Sequence, residues 1–284
     1  MTLIAFQGQA GAYSDLACHM AYPGAQTLPC ETFQAAIAAV HDGAADLAML
    51  PPENSIAGRV PDMHALLPES GLSIIGERFL RIEHCLLAPK GASIASIRRI
   101  HSHPVALGQV RHLIAELGAT VVAEYDTAGA AEIVAGIDNI EDAAIASSLA
   151  GDIHGLQILR RNVEDFAHNT TRFYVMAREP LVLAPEIPDL MTTFVFNVRN
   201  VPAALYKALG GFATNGVNMT KLESYMVNGS FTATQFLAEV DGHPDQPGLV
   251  HAFEELEFFS TEIKILGTYK ADPFRLKQRA DRPQ

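Results

Sequence analysis

The chain has 284 residues, half of them hydrophobic, 18% charged and none tryptophan, which suits a compact Ala-rich protein of about two domains and excludes a disordered or fibrous one. The formal net charge of −12 argues against a nucleic-acid partner, because phosphate backbones are held by clustered Lys and Arg. An anionic ligand has to be captured here by local dipoles and a few chosen cations, against the overall field.

Cys18, Cys30 and Cys85 stand far apart with no C-x-x-C pair, which predicts buried, reduced thiols and a reducing compartment. The start, Met1–Gln7, has no basic segment, its apolar run is too short for a signal peptide, and no stretch approaches the length of a membrane span. The expectation is a soluble cytoplasmic protein.

Leu3–Gln7 reads as a first strand, Gly8-Gln9-Ala10-Gly11 as a glycine loop, and a helix is expected from about Ser14, which can cap it. Strand, loop and helix N-terminus fit either a bare tight turn or an anion site where free N–H groups converge. It is not a G-x-G-x-x-G fingerprint, and no G-x-x-x-x-G-K-[ST] occurs. Helix 33–41 and strand 46–50 continue a β/α alternation that predicts a parallel or mixed sheet. The strand runs into Pro51-Pro52-Glu53-Asn54-Ser55 and on to Gly58, Arg59 and Val60. A carboxylate, an amide and a hydroxyl presented just after a strand's carboxyl end stand where open α/β sheets bind ligands.

Two apolar segments between Leu72 and Leu87 are expected to carry the chain into a second lobe. Arg99–Ser102 then closes a strand, and Leu107, Val110, Leu113, Ile114 and Leu117 repeat at helical spacing until Gly118. Ser102 stands at that helix's N-terminus, with Gln109 about two turns on. His101 and His103 share a strand face, but no third ligand stands at a recognisable spacing, so packed or hydrogen-bonded imidazoles are expected and no metal. Strands at 120–124, 143–147 and 156–161 and a helix from 127 to about 135 continue the alternation up to Asn169-Thr170-Thr171-Arg172-Phe173. This pentapeptide reads either as a plain turn entering a strand or as a loop that delivers hydroxyls and a cation to a cleft.

Pro180, Pro185 and Pro188 mark a boundary. Beyond it, strand 191–198, helix 202–212, strands 217–227 and 230–240 joined at Asn228-Gly229, helix 247–256 and strand 263–269 predict the ferredoxin-like βαββαβ order. A small open-sheet domain of this kind is expected to pair with a copy of itself. These residues alone suit a small anionic ligand bearing carboxylates, and they leave an enzyme and a binding or sensor protein equally open.

Read in order, the motifs resemble the prephenate dehydratase family. Gly8-Gln9-Ala10-Gly11-Ala12-Tyr13-Ser14, Pro52-Glu53-Asn54-Ser55 with Gly58 and Val60, His84-Cys85-Leu86-Leu87, Ser102-His103-Pro104 with Gln109, and Asn169-Thr170-Thr171-Arg172-Phe173 carry the likeness from Leu3 to about Ala271. The resemblance implies a catalytic part at 1–178 built like type II periplasmic binding proteins, with a second lobe at about 80–155. A linker at 179–190, an ACT regulatory domain at 191–271 and a polar tail at 272–284 would follow. The implied reaction removes water and carbon dioxide from prephenate, without metal or organic cofactor, and Thr171 would be the hydrogen-bond donor to the leaving hydroxyl, with Glu53 as a relay. Asn54, Ser55, Ser102, Gln109, Thr170 and Ser14 would orient the substrate, Arg172 would offset a carboxylate or pair internally, and Phe173 would be core or cleft wall.

In the ACT part, Ala204, Leu205, Asn218, Met219, Glu223 and Ser224 match positions implied for a phenylalanine effector at a homodimer or homotetramer interface. Ala203 stands where the family carries glycine, and Tyr225-Met226 where it carries Arg-Pro. Arogenate, the aminated analogue, is the alternative substrate, and no single residue of the sequence decides between the two.

Overall fold

The structure, a computed structural model, describes residues 1–199, 201–226 and 233–280. In chain order it begins with β1 (Leu3–Gln7), α1 (Tyr13–Ala21), β2 (Gln26–Cys30), α2 (Phe33–His41), β3 (Leu47–Asn54), β4 (Gly58–Arg59), α3 (Pro61–Leu66) and β5 (Ser73–Arg81). Next come β6 (Cys85–Ala88), β7 (Arg99–Ser102), α4 (Pro104–Leu107), α5 (Arg111–Leu117), β8 (Thr120–Ala123), α6 (Thr127–Ile137), β9 (Asp142–Ala146), α7 (Ser148–His154), β10 (Gln157–Arg160) and β11 (Thr170–Ala177). The chain closes with β12 (Leu190–Val198), α8 (Ala204–Thr214), β13 (Met219–Met226), β14 (Ala233–Asp241), α9 (Pro247–Phe259), β15 (Ser260–Lys270) and α10 (Pro273–Ala280). The expected turn at Asn228-Gly229 lies outside the described residues.

The first sheet has the order β2-β1-β3-β11-β5, with β4 paired to β3. β1 lies parallel to both β2 and β3, the arrangement that β/α alternation predicts. The second sheet, β10-β6-β9-β7-β8, is mixed: β7 is parallel to β8 and β9, while β6 is antiparallel to β9 and β10. β9 is buried along its whole length, as a strand covered on both faces must be. The third sheet is antiparallel, β13-β14-β12-β15, and with α8 and α9 it realises the βαββαβ order.

By internal contacts the chain forms two units, Met1–Val60 with Arg78–Phe173, and Pro61–Glu77 with Tyr174 onward. Residues 61–77 thus group with the C-terminal part of the chain, although the segments on either side of them in sequence belong to the first unit. In the second unit Phe194, Phe196 and Val198 of β12 and Phe236, Ala238 and Val240 of β14 turn one face, by strand alternation, to Ala208 and Phe212 of α8 and Leu249, Ala252 and Leu256 of α9. On β14's other face Glu239 is fully buried and accepts the Tyr174 hydroxyl at 2.5 Å.

Several local expectations change. α1 begins at Tyr13 with Ala12 as its uncapped N-cap, so Ser14 lies inside the first turn instead of capping it. β3 runs on through Pro51-Pro52 to Asn54 and turns back as β4, with Glu53 opposite Arg59, so part of the expected loop is a hairpin. The helix expected from 104 to 117 is broken at Gly108-Gln109-Val110, because Asp165 caps a new start through the Arg111 and His112 amides at 2.9 and 3.1 Å. His103 is the N-cap of α4 and does not share β7 with His101. His101 is held between Glu124 and Asp142, 2.9 Å from each. Residues 273–280, expected as part of a polar tail, form α10, which Arg275 ties to the fully buried Glu77 at 2.8 and 2.9 Å.

Candidate active site

The site is a cavity of about 290 Å³ in the first unit, at the small end of the range for metabolite pockets. Its floor is organised by Asn54. The turn after β3 places the Ile56 and Ala57 amides 2.9 and 2.8 Å from Asn54 Oδ1. Two backbone donors on one oxygen fix which way the amide faces. Asn54 Nδ2 then donates to Asn169 Oδ1 at 2.8 Å and to Thr171 Oγ1 at 2.9 Å. With its oxygen occupied as acceptor, Thr171 has its own proton to give, and among the described residues nothing accepts it.

The same orientation propagates. Asn169 Nδ2 donates to Gln109 Oε1 at 2.9 Å, and His84 Nε2 stands 2.9 Å from that oxygen. An amide oxygen only accepts, so Nε2 carries the hydrogen and Nδ1 accepts the Tyr13 hydroxyl at 2.6 Å. Burial holds His84 below the ordinary histidine pKa, against the opposing pull of Gln109 and Glu164, which favours the neutral ring and leaves Nδ1 as the acceptor. Burial likewise pushes the Tyr13 phenol well above its usual value. A continuous chain of neutral donors and acceptors therefore runs from Thr171 to Tyr13.

Thr171 and Phe173 line the cavity, whereas Arg172 between them does not, the period-two alternation of β11. Arg172 is 2% exposed, 2.9 Å from Glu53 and 5.8 Å from the Phe79 ring centroid. Glu53 is not among the lining residues either. Of the two roles open to Arg172, internal pairing is the one realised, and the Glu53 carboxylate is part of that pair. Ser55 and Thr170 clasp the two segments: Thr170 N donates to Ser55 Oγ, Ser55 Oγ to His168 O, and Ser55 N to Thr170 O. Ser102 is fully buried and donates to Ile145 O at 2.7 Å, holding β7 to β9 rather than facing the cavity. Ser14 and Gln109 line it. Ser14 is nine-tenths buried, and its hydroxyl meets no partner among the described residues.

Tyr13, His84, His103, Asp126 and Asn169 also line the cavity and were not singled out as ligand contacts by the sequence. His84 and Asn169 had a usable signal: each is a polar residue immediately before an apolar strand. Asp126 reads in sequence only as a helix cap.

The family model for prephenate dehydratase matches residues 4–181. The chain belongs to the prephenate dehydratase family. Its members are lyases, and so is this protein. A bifunctional N-acyl-homoserine lactone acylase/prephenate dehydratase of Komagataeibacter europaeus is 63% identical over 97% of this chain and 98% of that protein. Arogenate dehydratase/prephenate dehydratase 2 of Arabidopsis thaliana is 39% identical over 95% of this chain and 73% of its own. Among solved structures, the prephenate dehydratase of Arthrobacter aurescens in complex with L-Phe has a TM-score of 0.85 at 30% identity, covering 95% of this chain and 90% of that one. GqqA, described as a novel type of quorum-quenching acylase, has a TM-score of 0.91 at 63% identity, covering 96% and 99%.

Among the expected effector residues, Ala204 is buried at the start of α8 and Leu205 packs on the sheet core. Met219 and Ser224 lie on β13, and just before that strand Asn218 donates to Asp241 at 2.7 Å. Glu223 lies 3.1 Å from both Lys221 and His64. Ala203 has φ 63°, the left-handed region that a glycine enters without strain.

Proposed function

We propose that the protein converts prephenate to phenylpyruvate in L-phenylalanine biosynthesis. The carboxylate on the ring leaves as CO2, and its electron pair passes into the ring. The C4 hydroxyl departs with one added proton as water, leaving an aromatic ring. Aromatisation supplies most of the driving force, so the protein's task is to position the substrate and assist the leaving oxygen. The observation that carries this reading is Thr171: Asn54 holds its oxygen at 2.9 Å, so its proton is available to the departing hydroxyl.

A threonine is too weak an acid to surrender a proton outright, and its part is that of a positioned donor. One such donor contributes on the order of 10²–10³ in rate. Ser14 with the first-turn amides of α1, and Gln109, are the proposed substrate-orienting groups, while Asn54, its amide fully engaged, acts through Thr171. Ser55, Thr170, Ser102, Phe173 and the Glu53–Arg172 pair shape and hold the walls.

We further assign residues 1–178 to catalysis, 179–190 to a linker and 191–271 to an ACT domain. That domain would take L-phenylalanine at an interface between copies of the chain, through Ala204, Leu205, Asn218, Met219, Glu223 and Ser224. Half of each effector motif is retained, and the Arthrobacter relative was solved with L-Phe. Three free thiols support a cytoplasmic setting.

Purified protein is expected to form phenylpyruvate rapidly from prephenate near neutral pH. Turnover of arogenate alone would keep the mechanism and change the substrate. No turnover of either from folded protein would leave a ligand-binding or sensor protein. A parallel arm with an N-acyl-homoserine lactone decides whether the second activity in the name of the Komagataeibacter relative extends here.

A further inference from the structure

The cavity's charge is unusual for a site that takes a dianion: no Lys or Arg is among its described lining residues. His84 is neutral for the reasons above, and His103 Nδ1 accepts the Val105 amide hydrogen at 3.2 Å, so that nitrogen bears no proton. Among the described lining side chains one carries a formal charge, and it is the carboxylate of Asp126. Its Oδ1 caps α6 by accepting the Gly129 amide at 2.6 Å. Its Oδ2 has no partner among the described residues.

Prephenate and arogenate share the ring and differ at one side-chain carbon, which bears a carbonyl oxygen in the first and an ammonium in the second. A carboxylate only accepts hydrogen bonds, so it attracts an ammonium and repels a carbonyl oxygen. Inside a cavity walled by Ile82, Val60 and Phe173, that difference is screened less than in water.

Resting on the dehydratase reading above, we propose that Asp126 sets the choice between the keto-acid and amino-acid substrates, and that its carboxylate makes arogenate a substrate of this protein. Asp126 also begins α6, so its replacement must keep the cap. Asn and Ser cap helices about as well as Asp does, which makes Asp126→Asn and Asp126→Ser suitable variants.

The experiment measures kcat/KM for both substrates in the wild type and both variants, with thermal melts as the check on folding. The wild type is expected to use both substrates. In each variant arogenate should lose about ten- to a hundredfold, the weight of a charge-assisted hydrogen bond, while prephenate holds or gains. Equal changes for both substrates would reduce Asp126 to a helix cap and overturn the inference. So would a wild type that uses prephenate and ignores arogenate. If folded wild type consumes neither, the dehydratase reading falls and this inference with it.

Discussion

Thr171 illustrates how little of a site is a single residue. A threonine hydroxyl turns freely in solution and donates or accepts at will. Here its direction follows from two backbone amides on Asn54 Oδ1, which leave the Asn54 nitrogen to face Thr171 and Asn169. Thr171→Ala removes the donor and one acceptor for Asn54 without disturbing β11, whose side chains alternate around it. Turnover is expected to slow by about a hundredfold or more with an unchanged melting temperature; a variant that stays nearly as active as wild type would strip Thr171 of its role. Thr171, Asn54, Gln109 and Ser14 sit in short motifs legible in the sequence, and so do Tyr13 and His84. Tyr13 and the buried His84, joined by a 2.6 Å hydrogen bond, are 71 positions apart, and no local pattern links them.

At the scale of elements, tertiary partners decide where helices and strands end. Asp165 starts α5 from outside the helix, so apolar spacing that runs through 107–117 is cut at Gly108. The glycine loop after β1 has a comparable cause. Gly11 has φ 88°, and a Cβ there would stand 2.8 Å from Ala150 Cα in α7, which requires glycine on both counts. Ser147 Oγ donates to Gly11 O at 2.5 Å across the same approach. α10 is a polar segment tied down through Arg275, beside the Asp272 amide that donates to Glu77 at 3.1 Å. Arg275 reaches the fully buried carboxylates of Glu77 at 2.8 Å and Glu239 at 3.5 Å. Arg275→Met is therefore expected to cost about 3 kcal/mol or more, because it removes this cation from two buried acids. A urea titration reads this as a lower midpoint; an unchanged midpoint would show that the cluster adds nothing to stability.

At the scale of the whole molecule, the proposed regulatory part turns on two departures from the family pattern, Ala203 and Tyr225-Met226. Ala203 adopts the left-handed backbone that suits the glycine the resemblance implies there, so the entry to α8 is kept at a local strain of about 1 kcal/mol. Calorimetric titration with L-phenylalanine is accordingly expected to release heat and to change dehydratase activity. Absence of both would remove the effector role. Composition, periodicity and turn residues determined by themselves the α/β class, the βαββαβ order near the C-terminus and the motifs that line the cavity, because these are properties of neighbouring residues. Sheet order was decided by the tertiary structure alone: β11 enters between β3 and β5, strands from far earlier in the chain. The same holds for the inward pairing of Arg172 with Glu53, the neutral chain through His84, and the single carboxylate that Asp126 leaves among the described lining residues of the cavity. Each depends on groups brought together from distant positions, where burial and partner, rather than residue type, set what a side chain can do.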